Sequence, residues 1–178
     1  GNVSALAPHK DYQTFVDTAK ILVAKGLKAK FIAIGEGPSR KEIEEYIDRQ
    51  GMQGHIILTG FRRDVPSLLK ELDLFLITSK TEGLGTSILD ALVSEVPVVA
   101  TKAGGIVEVI EHEVCGLLCD VQEPNQLAES VNRMLSDAAL RSTCIAGGTK
   151  KVKKFSKSET AKKSFAIYEE VLSSSDKA

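Results

Sequence analysis

The chain has 178 residues, 43% of them apolar and 26% charged, with a formal net charge of −1. That length supports one domain with a substantial core, and the near-balanced charge leaves no basic profile for a nucleic-acid partner. No apolar run approaches the length needed to cross a bilayer and no basic–apolar–small signal pattern opens the sequence, so an intracellular, cytoplasmic address is the expectation.

In chain order, short apolar runs alternate with longer stretches of helical spacing. The runs are "NVSALA" (2–7), "AKFIAIG" (29–35), "HIILTG" (55–60), "LFLITS" (74–79), "VPVVAT" (96–101) and "CGLLCD" (115–120). Between them lie stretches such as "YQTFVDTAKILVAKG" (12–26) and "SRKEIEEYIDRQG" (39–51). Runs that are apolar throughout suit strands covered on both faces, so the pattern predicts a Rossmann-like α/β fold of three layers. Its parallel sheet has about six strands with helices on both faces. After "CGLLCD" only helices are expected, over 125–136, about 138–155 and about 158–172, the last opened by a capping box, "SKSE" (156–159). The three cysteines, Cys115, Cys119 and Cys144, show no CxxC spacing and are expected as buried thiols; a strand would place Cys115 and Cys119 on one face.

The stretch "SKTEGLGTSILDAL" (79–92) carries the chemistry. It reads as a strand end, the loop "KTEGLG" and a helix "TSILDALVS". In an open α/β sheet, ligands bind outside the carboxyl ends of the strands, where loops lead into helix starts. Gly83 and Gly85 would let backbone approach a ligand, and the amides of Gly85, Thr86 and Ser87 would be unpaired donors at a helix N-terminus, a site suited to a diphosphate. Asp90 lies one turn in from Thr86 on the same side, within reach of a sugar hydroxyl, and Glu82 would point across the cleft. On these residues alone, a plain turn with a helix cap and two solvated acids is an open alternative.

The longer segment "EGLGTSILDALVSEVPVVATKAGGIVEVIEHEVCGLL" (82–118) resembles the donor-binding signature of the retaining, nucleotide-sugar-dependent glycosyltransferases of family 4, or group 1, which have the two-domain GT-B architecture. "GEGPSRKEIEE" (35–45), "GFRRDVPSLLKELDLFLITS" (60–79) and Phe155–Ser156 extend the match over nearly the whole chain. The resemblance implies that Glu82 contacts the donor sugar, that the backbone of Gly83, Leu84, Gly85 and Thr86 holds the diphosphate, and that Asp90 holds the ribose. Asp90 stands where the family usually has glutamate. Lys10, in "LAPHKD", matches the basic residue on the donor phosphates; Ala5 stands where an arginine often precedes it. Gly35, Gly37 and Arg62 would border the base, and Gly104 and Gly105 would allow close backbone approach.

By this resemblance the donor is a nucleotide-diphosphate sugar, with no other cofactor. No DxD motif is present, so no metal is expected. The acceptor would be a glycan, a lipid-linked sugar or a small molecule. The chain 1–178 would then be a single donor-binding domain, the C-terminal half of a longer enzyme, its helix at 157–173 packing toward an acceptor domain. The isolated domain is expected to be inactive. Two alternatives are a non-catalytic nucleotide-sugar-binding module and an epimerase-like enzyme of the same architecture. Seven lysines between Lys150 and Lys163 raise a peripheral membrane association as one alternative to a solvated helix face.

Overall fold

A computed structural model describes residues 1–175. Six parallel strands form two three-stranded sheets. β1 (Asn2–Val3), β2 (Phe31–Ile34) and β3 (Ile56–Gly60) make the first, in the order β1-β2-β3; β4 (Phe75–Ile77), β5 (Val98–Thr101) and β6 (Leu117–Cys119) make the second, in the order β4-β5-β6. The two meet at β1 and β4. Gly1 N donates to Leu74 O at 2.7 Å and Gly1 O accepts from Leu76 N at 2.8 Å, the pattern of a parallel ladder, and Asn2 Nδ2 adds a bond to Leu76 O at 2.7 Å. The strands thus run 3-2-1-4-5-6, and the order reverses at the β1–β4 seam.

The helices are α1 (Tyr12–Ala24), α2 (Arg40–Arg49), α3 (Val65–Lys70), α4 (Thr86–Val93), α5 (Ile106–Val109), α6 (Pro124–Ser136), α7 (Ala138–Val152) and α8 (Lys157–Ser175). The strands explain their own composition. Leu74, Leu76 and Val99 point into a core shared with α1, α2 and α6, whereas Phe75, Ile77, Val98 and Ala100 point into a second core beneath α3, α4 and α5. Both faces of the sheet are covered, so neither needs polar residues. In α1 the buried residues Tyr12, Phe15, Val16, Ala19 and Leu22 recur at helical spacing, and in α2 only Ile43 and Ile47 are buried among charged neighbours.

Three expectations from the sequence are corrected in detail. Cys115 and Cys119 are buried free thiols, as expected, but they enter opposite cores: Cys115 precedes the regular part of β6, so the strand's alternation does not extend back to it. The helix expected over about 138–155 ends at Val152 and closes with a tighter 3-10 turn at Lys153–Phe155. The capping box at Ser156 forms by half: its Oγ accepts the Glu159 amide at 3.2 Å, while the Glu159 carboxylate turns to Lys162 Nζ at 2.8 Å.

Candidate active site at the carboxyl edge of the sheet

β1 and β4 are neighbours, so the loops that leave their carboxyl ends rise side by side at the point where the strand order reverses, the usual place for a ligand crevice in such a sheet. After β1 the chain makes a 3-10 turn, Pro8–Lys10, then Asp11 takes a left-handed conformation (φ 51°) and α1 begins. After β4 it passes through Thr78 and Ser79 into "KTEGLG" and α4. Lys10 and Glu82, one from each loop, meet as an ion pair: Nζ lies 2.5 Å from Oε1, with side chains 15% and 8% exposed. An ion pair this enclosed holds only if its geometry is tight and its remaining valences are met.

Buried hydroxyls brace the pair and the backbone that carries it. Ser79 Oγ donates to Glu82 Oε1 at 2.7 Å. Thr78 Oγ1 reaches Lys10 O at 3.1 Å and Asp11 O at 3.0 Å, tying the Lys10 turn to the end of β4. Thr101 Oγ1, at the end of β5, donates to Ser79 O at 2.7 Å, and Lys80 N donates to His9 O at 2.8 Å. Lys80 Nζ stands 3.6 Å from the buried Asp11 carboxylate. His9 is exposed.

The glycines of the loop divide into two kinds. Gly85, at the N-cap of α4, has φ 70° and ψ 54°, a left-handed conformation that supplies no side chain to cap the helix amides. The amides of Thr86 and Ser87 have no hydrogen-bond partner among the described residues, whereas Ile88 N donates to Gly85 O at 2.8 Å, and Gly83 has nothing within 4 Å of where a Cβ would be. Gly104 and Gly105 approach the loop itself: Gly105 N donates to Glu82 O at 3.0 Å, and a Cβ on Gly104 would stand 2.1 Å from Glu82 O. Their close approach is to the backbone that carries Glu82. Asp90 is exposed on α4, one turn in from Thr86.

A second recess adjoins this pair. Ala5, Gly35, Glu36, Phe61 and Arg62 line a cavity of about 280 Å³ at the carboxyl ends of β1, β2 and β3. Arg62 is paired with Asp64 at 2.5 Å on the surface, and that hydrogen bond holds the Asp64 carboxyl below the usual carboxylate range. Gly35 and Gly37 have packing reasons to be glycine: a Cβ would come within 2.0 Å of Ser4 O in the first case and 2.4 Å of Leu6 O in the second. Gly37 touches the β1 loop and is absent from the lining of this recess. A separate cavity of about 400 Å³, lined by Phe15, Phe31, Leu72 and Val131 together with Lys28, Lys30, Glu71 and Asp73, opens at the amino ends of the strands. It is at the wrong end of the sheet for the helix amides and for the Lys10–Glu82 pair.

The structure therefore brings together Lys10, Glu82, Gly83, Leu84, Gly85 and Thr86 at one edge, with Gly35 and Arg62 in the adjoining recess. Thr78, Ser79 and Thr101 are participants that sequence reasoning did not single out. The available signal was three hydroxyl residues closing otherwise apolar strands, at the sheet edge where polar side chains have a use. Among the described residues no group of three or more His, Cys, Asp or Glu side chains is arranged to hold a metal ion, and no helix is long and apolar enough to cross a membrane.

Residues 1–151 match the family of glycosyl transferases group 1, and the chain belongs to that family. It is 31% identical over 134 residues to the 2-deoxystreptamine N-acetyl-D-glucosaminyltransferase of Niallia circulans, covering 74% of this chain and 34% of that protein. Among solved structures, Anabaena HepE in complex with UDP and glucose superposes with a TM-score of 0.84 at 29% identity, over 98% of this chain and 47% of that one. The C-terminal domain of the group 1 glycosyl transferase LpcC of Francisella tularensis superposes with a TM-score of 0.75 at 28% identity, over 86% of this chain and 83% of that one. The chain spans about a third of the length of the first curated relatives it matches.

Proposed function

We propose that this chain is the donor-binding domain of a retaining glycosyltransferase that moves a sugar, a hexose or a close relative, from a nucleotide-diphosphate sugar to an acceptor. The observation that carries the reading is the Lys10–Glu82 pair set beside the uncapped start of α4 at the β1–β4 seam. Breaking the bond between the anomeric carbon and the phosphate oxygen leaves an oxocarbenium-like sugar and a nucleoside diphosphate. Catalysis then needs cations and oriented dipoles fixed on the diphosphate before the charge develops. Lys10 and the amides of Gly83, Leu84, Gly85 and Thr86 are the groups for that task, Glu82 the group for the sugar, and Asp90 the group for the ribose. Gly35 and Arg62 border the base, and Gly37 holds the loop that shapes their recess.

Belonging to the family supports this reading, as does the likeness to HepE, which was solved with UDP and glucose. The arriving diphosphate competes with Glu82 for Lys10, so the ion pair is the resting arrangement of the site and opens on binding. No protein nucleophile is assigned, and binding of the donor without a metal is part of the proposal. The acceptor, whether glycan, lipid-linked sugar or small molecule, would be held by a second domain. α8 would pack toward that domain with Phe165, Tyr168 and Leu172, which are 68%, 65% and 68% exposed here.

Calorimetry of the folded chain with UDP, GDP and ADP in the presence of chelator tests the reading. Binding of at least one of them, lost in Lys10→Ala, is the expected result. No binding of any would overturn it.

A further inference from the structure

We propose that Ser79 is a positioning residue for Glu82: its hydroxyl holds the carboxylate in place for the donor sugar once Lys10 turns to the diphosphate. The proposal rests on the donor-domain reading and adds to it a residue that the reading does not use.

Ser79 is 0% exposed at the end of β4, and its hydroxyl has one proton to donate. Thr18, another buried hydroxyl, gives its proton to a backbone carbonyl, that of Thr14 at 2.7 Å. Ser79 gives its own to a carboxylate, Glu82 Oε1 at 2.7 Å, the same oxygen that receives Lys10 Nζ at 2.5 Å. Oε1 thus has two donors, and among the described residues no hydrogen bond reaches Oε2. When a diphosphate draws Lys10 away, the Ser79 bond is what remains to fix the carboxylate, leaving Oε2 for a sugar hydroxyl. A Glu82 side chain without either donor would gain rotamer freedom, and ordering it again at binding costs free energy.

Ser79 is itself held. Its carbonyl accepts from the fully buried Thr101 Oγ1 at 2.7 Å, which ties the backbone that presents the hydroxyl to the end of β5. Thr78, the residue before it, fixes the backbone of Lys10. Two consecutive residues just past β4 therefore set the two partners of the pair, one through its backbone and one through its carboxylate.

The test compares affinities for UDP, GDP and ADP with those for UDP-glucose, GDP-mannose and ADP-glucose, measured on the unmodified chain, Ser79→Ala, Ser79→Thr, Glu82→Ala and the double variant Ser79→Ala/Glu82→Ala, with Thr101→Val as a second route to the same disturbance. Thermal unfolding of each shows which are folded. Ser79→Ala is expected to weaken the preferred nucleotide sugar by roughly tenfold, the loss of one hydrogen bond to a charged group, while changing the matching bare diphosphate less than twofold. Ser79→Thr, which keeps the hydroxyl, restores most of the loss, and Thr101→Val shows the same selective loss to a smaller degree. In a Glu82→Ala background, which removes the acceptor, Ser79→Ala has little further effect. Equal weakening of diphosphate and nucleotide sugar, or a full effect of Ser79→Ala with Glu82 already replaced, overturns the proposal while leaving the donor reading intact. No binding by the folded, unmodified chain overturns the donor reading and this proposal with it.

Discussion

Gly105 and Gly83 lie so close that a Cβ added to Gly105 would stand 1.8 Å from the Gly83 carbonyl oxygen. The loop after β5 is pressed against the loop after β4, backbone to backbone, and the Gly105 amide holds the Glu82 carbonyl. Gly105→Ala must therefore push one of the two loops aside. The expected cost is about 1–3 kcal/mol, typical of overpacking, together with weaker nucleotide binding, because the displaced loop carries Glu82 and leads to the α4 amides. Gly83→Ala, whose Cβ would meet nothing within 4 Å, should change stability by less than about 1 kcal/mol. Urea unfolding of both variants makes the comparison; equal losses would show that the loops can part freely.

Glu82 and Asp90 should separate by ligand. Glu82→Ala is expected to leave affinity for a bare nucleoside diphosphate unchanged or slightly raised, since Lys10 loses its competing partner, while weakening the nucleotide sugar. Asp90→Ala should weaken both by roughly tenfold to a hundredfold, the loss of a charge-assisted hydrogen bond to the ribose. Asp90→Glu restores the acid usual in the family and tests whether the shorter side chain is matched to its partner. Equal loss of diphosphate affinity in the two alanine variants would reverse the assignment.

Much of this was legible in the sequence for a simple reason: strands covered on both faces are apolar throughout, and Leu74 to Ile77 serve two cores with four consecutive apolar residues. The position of "KTEGLG" between such a strand and a helix placed it at the carboxyl edge. The ion pair was not legible. Lys10 and Glu82 are 72 residues apart, and their contact depends on β1 and β4 being neighbours, which no local pattern encodes. The hydroxyls were hidden for a different reason. Thr78, Ser79 and Thr101 end strands where threonine and serine are also ordinary, and only the direction of each proton shows its use. The glycines at 104 and 105 were legible as a close approach, but what they approach was not.

Stability at high pH should report on Tyr12. Its hydroxyl is buried beside Ser4 Oγ at 2.9 Å and Asn2 Oδ1 at 3.2 Å, and burial pushes its pKa up to about 12. The folded state thus holds the proton more tightly than the unfolded chain, whose tyrosine titrates near 10. Tyr12's contribution is fully present below pH 10 and is lost as the pH rises toward 12, by on the order of 2–3 kcal/mol. Urea unfolding of Tyr12→Phe and the unmodified chain at pH 8, 10 and 12 checks the sign: Tyr12→Phe should show the shallower decline. A parallel decline in the two proteins would place the titration elsewhere.

The apolar residues of α8 should be silent in this chain taken alone. Phe165→Ser or Leu172→Ser removes a side chain that is 68% exposed, so the unfolding midpoint should shift by no more than the equivalent of about 0.5 kcal/mol. In a longer protein that retains a second domain, the same substitutions should destabilise the assembly. Thermal unfolding of both forms distinguishes a covered face from a solvated one.

The placement of β1 has a consequence for how the molecule assembles. The shortest strand, Asn2–Val3, occupies the middle of the strand order, and one of its partners, the Leu74 to Leu76 segment, is more than seventy residues away in sequence. Closing so long a loop is entropically unfavourable, and sheets dominated by non-local pairing form slowly. Until β4 arrives, the β1 edge of the β1-β2-β3 unit presents open backbone donors and acceptors, a template that any other extended segment could join. Intermolecular mispairing and aggregation during refolding should therefore begin at the β1 edge, between copies whose second sheet has not yet docked.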